Sequence, residues 1–450
     1  MARRSIPIIA AAALSLTAAC TGRADEALPS PGAAANSTAV DLAQTASPSV
    51  VTVPREAAPP PVRTGADVLV DDDLAMLHGR RVGLIANQTT TAQGRHLIDH
   101  LHDHPQVDLV AVFAPEHGVR GKAGAGELLD DSRDASTGVP VLSLYGETRR
   151  PTAEMLEDID VLVFDIQDVG TRFYTYISTM GLAMQAAAEH DVDFVVLDRP
   201  NPLGGNIAAG FVLDADQQSF IGQYPIPAAY GLTAGELALA IQGERWLDDL
   251  DQLDLLVVAM EGWERDMNWL DTGLAWTAPS PGLPTFITAL GYPGTVLFEA
   301  TTLSYGGGTH RPFLTVGAPW ADGEAAAAEL NGRGLAGVEF RAVEFEPRPI
   351  RSSSVRGEGE LHSGVRYSFT SIDDVEPVAV GLHVLEVFRD QALAADEELI
   401  DRPITFDLLA GTTRLRSDLE AGTTAHEIVA AWEAEAAAFA ATRAPYLLYP

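Results

Sequence analysis

Three short apolar runs each end in a loop of acids, amides and arginines, and this repeated layout constrains the fold more than any other feature of the chain. Leu109–Phe113 leads into Ala114-Pro115-Glu116-His117-Gly118-Val119-Arg120-Gly121. Val161–Phe164 leads into Asp165-Ile166-Gln167-Asp168-Val169-Gly170-Thr171-Arg172, and Phe194–Leu197 into Asp198-Arg199-Pro200-Asn201-Pro202. Compact apolar runs bounded by turn residues read as strands buried on both faces, the pattern of a parallel sheet. Further strands are expected at Arg81–Ala86, which precedes Asn87-Gln88-Thr89, at Val139–Tyr145 and at Leu253–Ala259. Helices are expected near Arg95–His102, Thr152–Leu156 and Tyr176–His190, with one more opened by a Thr233-x-x-Glu236 capping box. This alternation predicts an α/β domain with helices on both faces of the sheet over residues 65–290. Ligands of open α/β sheets collect at the carboxyl edge, so the three loops are expected to build one site. From 291 to 450 the rhythm changes. Gly306-Gly307-Gly308, irregular strands around Val338–Phe345 and Gly364–Thr370, and an Ala-rich helix capped at Thr424-x-x-Glu427 predict a smaller α+β domain.

The N-terminal segment reads as a separate element. Met1-Ala2-Arg3-Arg4 is basic, and Ile8–Ala19 is apolar but too short to span a bilayer, so residues 1–20 read as a signal peptide. Cys20, the only cysteine, excludes an internal disulfide. It follows Leu16-Thr17-Ala18-Ala19, which resembles a lipobox with its Leu displaced by one position; lipidation of Cys20 is expected, the other reading being an ordinary signal peptide with Cys20 discarded. Residues 21–64 are rich in Ala, Pro, Ser and Thr without an aromatic residue, and read as a disordered tether. The expected location is therefore extracytoplasmic, as a lipoprotein or otherwise a secreted protein, with membrane contact only through the lipid. Asp and Glu number 63 against 29 Lys and Arg, a formal net charge of −34, which excludes nucleic acid as a partner because phosphate binding needs a basic surface.

Glu116 is the foremost acid/base candidate: a carboxyl at the mouth of a cleft is partly desolvated and holds its proton toward neutrality. His117 orients it or binds substrate. In the second loop Asp165, Gln167 and Asp168 follow a strand, and Arg172 with Tyr174 suits a carboxylate-bearing ring, through a bidentate fork and an aromatic face. Glu299 follows another apolar run, Tyr292–Phe298, and leads into Thr301 and the glycine loop. That loop lacks a Gly-Lys-Ser/Thr ending and is no P-loop; Gly121–Gly126 fails the dinucleotide spacing; and no Gly-x-Ser-x-Gly elbow exists. His96 and His100 stand at metal-clamp spacing but lack a zincin glutamate and read as an exposed helix face. No cofactor or metal is expected, and nothing in the sequence sets an oligomeric state.

As a set, Pro115-Glu116-His117-Gly118 with Arg120-Gly121, Asp165-x-Gln167-Asp168-x-Gly170-x-Arg172-Phe173-Tyr174-Thr175-Tyr176, Leu197-Asp198-Arg199-Pro200-Asn201-Pro202 with Gly204-Gly205, and Tyr292-Pro293-Gly294-Thr295 through Phe298-Glu299 resemble the NamZ-type exo-β-N-acetylmuramidases. The resemblance spans the globular part. It implies a Rossmann-like N-terminal domain, a smaller C-terminal domain with the active cleft between them, and release of N-acetylmuramic acid (MurNAc) from the non-reducing end of peptidoglycan fragments in cell-wall turnover. It places the family's catalytic glutamate on Glu116, makes MurNAc-GlcNAc saccharides the partners, and gives Arg172 or Arg120 the lactyl carboxylate to bind. His117 and Asp165 are then expected beside Glu116 in catalysis. Asn87, Arg120, Gln167, Asp168, Arg172, Tyr174, Asp198, Arg199, Asn201, Glu299 and Thr301 are expected to hold substrate or water. The chain departs from the family's pattern after Glu299, with Ala300-Thr301-Thr302 and Tyr305-Gly306-Gly307-Gly308, and at Gly282. A non-catalytic muropeptide-binding lipoprotein and an exo-glycosidase for a related amino sugar remain alternatives.

Overall fold

The computed structural model describes residues 60–120, 127, 130–350 and 355–450. The signal peptide, Cys20 and most of the expected tether lie outside the described residues. Seven strands form one sheet in the order Ser132–Arg133, Pro140–Ser143, Asp108–Ala114, Arg81–Ala86, Val161–Asp165, Asp193–Leu197, Leu255–Val258. Every neighbouring pair is parallel except the outermost, Ser132–Arg133 with Pro140–Ser143.

Alternation along each strand sorts the apolar side chains into two layers. Ile85, Phe113, Leu162, Phe164, Phe194 and Val196 pack with helices Tyr176–Glu189 and Ala234–Gly243. Val82, Leu84, Val112, Val161, Val163 and Val195 pack with helices Gly65–Asp71 and Leu97–Asp103. The strand carrying the Glu116 loop breaks this alternation once. Val82 pairs with Leu109 but Gly83 with Ala111, so Val110 is an inserted residue. Leu109 therefore joins one layer while Ala111 and Phe113 join the other.

The C-terminal region holds a three-stranded antiparallel sheet ordered Thr315–Ala318, His362–Phe369, Val338–Phe345. It shares one core with helices Phe286–Thr295, Gly323–Gly332, Pro377–Ala394 and Ala425–Arg443. The two capping boxes expected from sequence form at Thr233 and Thr424. The Tyr292–Phe298 run is helical: it ends the Phe286–Thr295 helix and enters a 3₁₀ turn, Val296–Ala300, from which Glu299 projects.

The expected tether does not extend to residue 64. Val62 donates its N–H to the Thr272 carbonyl at 2.8 Å and packs with Met260, Trp263 and Tyr449. Thr64 closes a capping box with Asp67 at the start of helix Gly65–Asp71. An apolar residue and a Thr-x-x-Asp signal at the end of a polar segment are what bind it to the fold.

Candidate active site

Strand register brings the site loops together. Ala86 stands opposite Asp165 and Ala114 opposite Ser143, so the loops after all four strands leave the same carboxyl edge. Past Ala114 the Gly118 N–H bonds back to the Pro115 carbonyl at 3.0 Å. His117 (φ 71°) and Gly118 (φ 72°) both take left-handed conformations, uncommon for a residue with a Cβ, and His117 is buried. This tight reversal leaves Glu116 half-buried at the edge. The Thr175 hydroxyl donates to Glu116 Oε2 at 2.8 Å. Tyr145, from the neighbouring strand's end, places its hydroxyl in hydrogen-bonding reach of the same carboxylate; burial, then that negative charge, pushes the phenol up to about 12. The Tyr176 hydroxyl lies 2.9 Å from the Pro279 carbonyl and 3.3 Å from the Glu116 carbonyl, bracing the turn against the segment that leads to the C-terminal region. Because one hydroxyl orients a carboxylate oxygen, Thr175→Val is expected to lower kcat about tenfold with little change in KM, checked by steady-state kinetics.

A second carboxyl, Glu299, lies near enough to feel the charge of Glu116; it is exposed on one side and crowded by protein on the others. This desolvation, with the Glu116 charge adding to it and Arg402 opposing, raises its pKa to about 7. Tyr292 lies near both acids: burial, then the charges of Glu299 and Glu116, lift its phenol well above the usual value. Its ring meets Tyr174 edge-on at 6.1 Å and Phe313 at 4.8 Å, and Tyr174 meets Tyr176 at 4.9 Å, making an aromatic wall. The Asn87 and Tyr174 side chains turn to the Tyr176 hydroxyl, while Asp168 Oδ1 is buried without a hydrogen-bond partner. An orphaned acceptor of this kind suits a sugar hydroxyl. The other Asp168 oxygen is held by the Gly170 N–H at 2.6 Å and by the Tyr230 hydroxyl, and burial raises its pKa to about 6. Of the expected residues, the structure thus gathers Glu116, His117, Asn87, Asp168, Tyr174 and Glu299.

The others are turned to different work. Asp165 is fully buried and ion-paired with Arg199 at 2.5 and 2.9 Å, so neither offers a charge to the cleft, and Asp165 is no catalytic acid. Arg199 also donates to the Thr91 carbonyl at 3.0 Å. With Gln167 it borders an open cavity of about 540 Å³ lined also by Pro61–Thr64 and Trp269. Gln167 donates to the Asp168 and Pro200 carbonyls. Asp198 receives the Thr233 and Tyr449 hydroxyls and the Gly235 N–H, and ties three distant segments together. Asn201 bonds the Leu232 carbonyl and the Leu203 N–H. Thr301, wholly buried, bonds the Phe298 carbonyl within its own turn. Arg120 is paired with Asp134 at 2.8 Å.

Arg172 departs furthest from expectation. It is 0% exposed, and its two terminal nitrogens donate to four carbonyls, those of Phe211 (2.8 Å), Ile226 (2.9 Å), Leu409 (3.1 Å) and Ala410 (2.7 Å). Burial, only partly opposed by the charge of Asp214, lowers its pKa to about 10. Its two terminal nitrogens close a structural joint, and only Nε, itself buried, is left without a partner.

His96 and His100 are half-buried and bond the Asn87 and Ala92 carbonyls, correcting the expected exposed helix face. Burial, with Arg120 nearby, lowers the His96 pKa to about 4. Asp73, His78 and His104 bring possible ligand atoms within 4.8 Å of one another. His104 Nδ1, however, accepts the Gln106 N–H, so Nε2 carries the proton it donates to Asp73, and its lone pairs do not suit a metal.

Sequence reasoning missed Thr175, Tyr145 and Tyr292 as site residues. Tyr145 was recoverable, since it ends an expected strand at the same edge as Glu116. The placement of Tyr292 near both acids is set by packing.

The N-terminal part of the exo-β-N-acetylmuramidase NamZ family matches residues 82–287, and its C-terminal part matches residues 290–449. The chain is 43% identical over 391 residues to the peptidoglycan β-N-acetylmuramidase NamZ of Bacillus subtilis (strain 168), covering 87% of this chain and 92% of that one. Two crystal structures of DUF1343 family proteins from Bacteroides fragilis NCTC 9343 are similar. The first has a TM-score of 0.79 at 39% identity, over 86% of this chain and 99% of the other. The second has a TM-score of 0.72 at 33% identity with the same coverage.

Proposed function

The chain belongs to the exo-β-N-acetylmuramidase NamZ family, and from that premise we propose that it is a glycosidase that releases MurNAc from the non-reducing end of peptidoglycan fragments. The observation that carries the reading is the nearness of two carboxyls, Glu116 and Glu299, among the tyrosines Tyr174, Tyr176 and Tyr292. Glycosidic cleavage needs a proton for the leaving oxygen and a second carboxyl that stays ionised to assist water or the oxocarbenium-like centre. Crowding by protein and the charge of Glu116 raise the Glu299 carboxyl to about 7, so Glu299 still holds a share of its proton at neutral pH. Glu116, oriented by Thr175 and Tyr145, serves as the general acid/base at the glycosidic bond. Glu299 is the complementary member. The test is incubation of the purified protein with MurNAc-GlcNAc and with a panel of chromogenic β-glycosides of amino sugars. MurNAc release from the first is expected. Binding without product would overturn the hydrolase reading, and preference for another amino sugar would overturn the substrate.

The pH dependence follows from the raised Glu299. Glu299 loses its proton as pH rises through about 7, so the alkaline limb of kcat/KM is expected to have its midpoint there. Glu299→Gln cannot titrate and should abolish or displace that limb, which a pH–rate profile reads directly.

The location is part of the same proposal. The basic, apolar and small-residue order of residues 1–20 supports export, Cys20 supports a lipid anchor, and the Ala/Pro/Ser/Thr segment supports a tether to the enzyme, a layout that suits cell-wall turnover. Radiolabelled palmitate incorporation that survives Cys20→Ala would remove the anchor from this account.

A further inference from the structure

MurNAc differs from GlcNAc by a lactyl ether whose carboxylate is anionic, and this chain, with a formal net charge of −34, repels anions unless a local cation meets them. The two arginines that the sequence offered for that role are taken: Arg172 by four carbonyls and Arg120 by Asp134. Arg149 is not. It lies in the loop after strand Pro140–Ser143, which leaves the sheet beside the Glu116 loop, and it is exposed. Among the described residues no carboxylate pairs with it, whereas its neighbour Arg150 is paired with Glu189. Its guanidinium carbon sits 4.3 Å from the centre of the Phe220 ring and 5.6 Å from that of Tyr145. Those rings are 6.3 Å apart and tilted at 46°, so the cation rests in an aromatic seat. A guanidinium held by ring faces keeps the N–H edges of its fork free for a bidentate carboxylate. Tyr145 is also the residue whose hydroxyl reaches Glu116, so one aromatic ring separates the cation from the acid/base carboxyl. The lactyl group sits two carbons round the sugar ring from C1, so a reader of its carboxylate must stand about that far from the group acting at the glycosidic oxygen.

We propose that Arg149, seated on Phe220 and Tyr145, binds the lactyl carboxylate of MurNAc and sets the preference for MurNAc over uncharged amino sugars. The assignment rests on the muramidase reading above. It is tested with two matched chromogenic glycosides, β-MurNAc and its neutral lactyl carboxamide, assayed with the full-length protein. Wild type is expected to favour the acid by about 10- to 100-fold in kcat/KM, the range of a charged hydrogen-bonded pair. Arg149→Gln should bring the two substrates to within a few-fold of each other. Arg149→Lys, which keeps the charge but not the planar fork, should retain part of the preference. An Arg149→Gln enzyme that keeps the wild-type ratio overturns the assignment, as does loss of the ratio in Arg402→Gln with Arg149 intact. A wild-type enzyme that cleaves neither glycoside overturns the muramidase reading, and the assignment with it.

Discussion

Glu116→Gln is expected to lower kcat for MurNAc release by about 100- to 10,000-fold while the protein stays folded, the range that general acid–base catalysis supplies. The substitution keeps the shape of the side chain, and the Thr175 hydroxyl, 2.8 Å from Oε2 in the native protein, still finds an amide oxygen to donate to. An unchanged melting temperature therefore separates lost chemistry from lost structure. The leaving group supplies a sharper control. A phenol of low pKa departs without a proton, so the defect should shrink on nitrophenyl glycosides and be largest on MurNAc-GlcNAc. An equal defect on every aglycone would take Glu116 away from the leaving oxygen, and unchanged turnover would take it out of the mechanism.

Arg172→Met is expected to destabilise the fold by about 3–5 kcal/mol, because it strands four buried carbonyls that lose their donors together. The joint has no slack. Gly411 has φ 74°, and a Cβ there would come within 2.3 Å of an Arg172 terminal nitrogen. Arg172→Lys keeps a charge, but a single ammonium cannot reach both carbonyl pairs, so an intermediate loss is expected. Calorimetric or denaturant unfolding of the three proteins decides the matter. A melting temperature unchanged in Arg172→Met, with a raised KM, would return Arg172 to substrate binding. Low KM with lowered stability is the result that fits its burial.

These two residues mark where the sequence was legible and where it was not. Strand after strand, the alternating layers and the Thr233 and Thr424 capping boxes follow from local rules of period and turn chemistry, and the structure has them. The placement of Glu116 is equally local: an apolar strand, a proline, and a turn closed by Gly118 put a carboxyl at the sheet edge. The inserted residue at Val110 left no mark in an apolar run whose members pack equally well on either face.

Within the same motifs, charge alone misled. Asp165, Arg199, Asp198 and Arg172 have the residue types of a polar site, yet each is consumed by protein partners. A guanidinium binds a backbone carbonyl or a substrate carboxylate with the same N–H groups, so composition cannot distinguish a joint from a ligand site. Burial distinguishes them, and burial depends on segments far apart along the chain, such as Leu409 and Ala410 closing over Arg172. The sequence by itself determined the layers, the edge where chemistry gathers, and the acid that stands there. Only the tertiary structure decided which charges remain at that edge, because packing across the two regions brings Glu299 within reach of the Glu116 charge and raises its pKa to about 7.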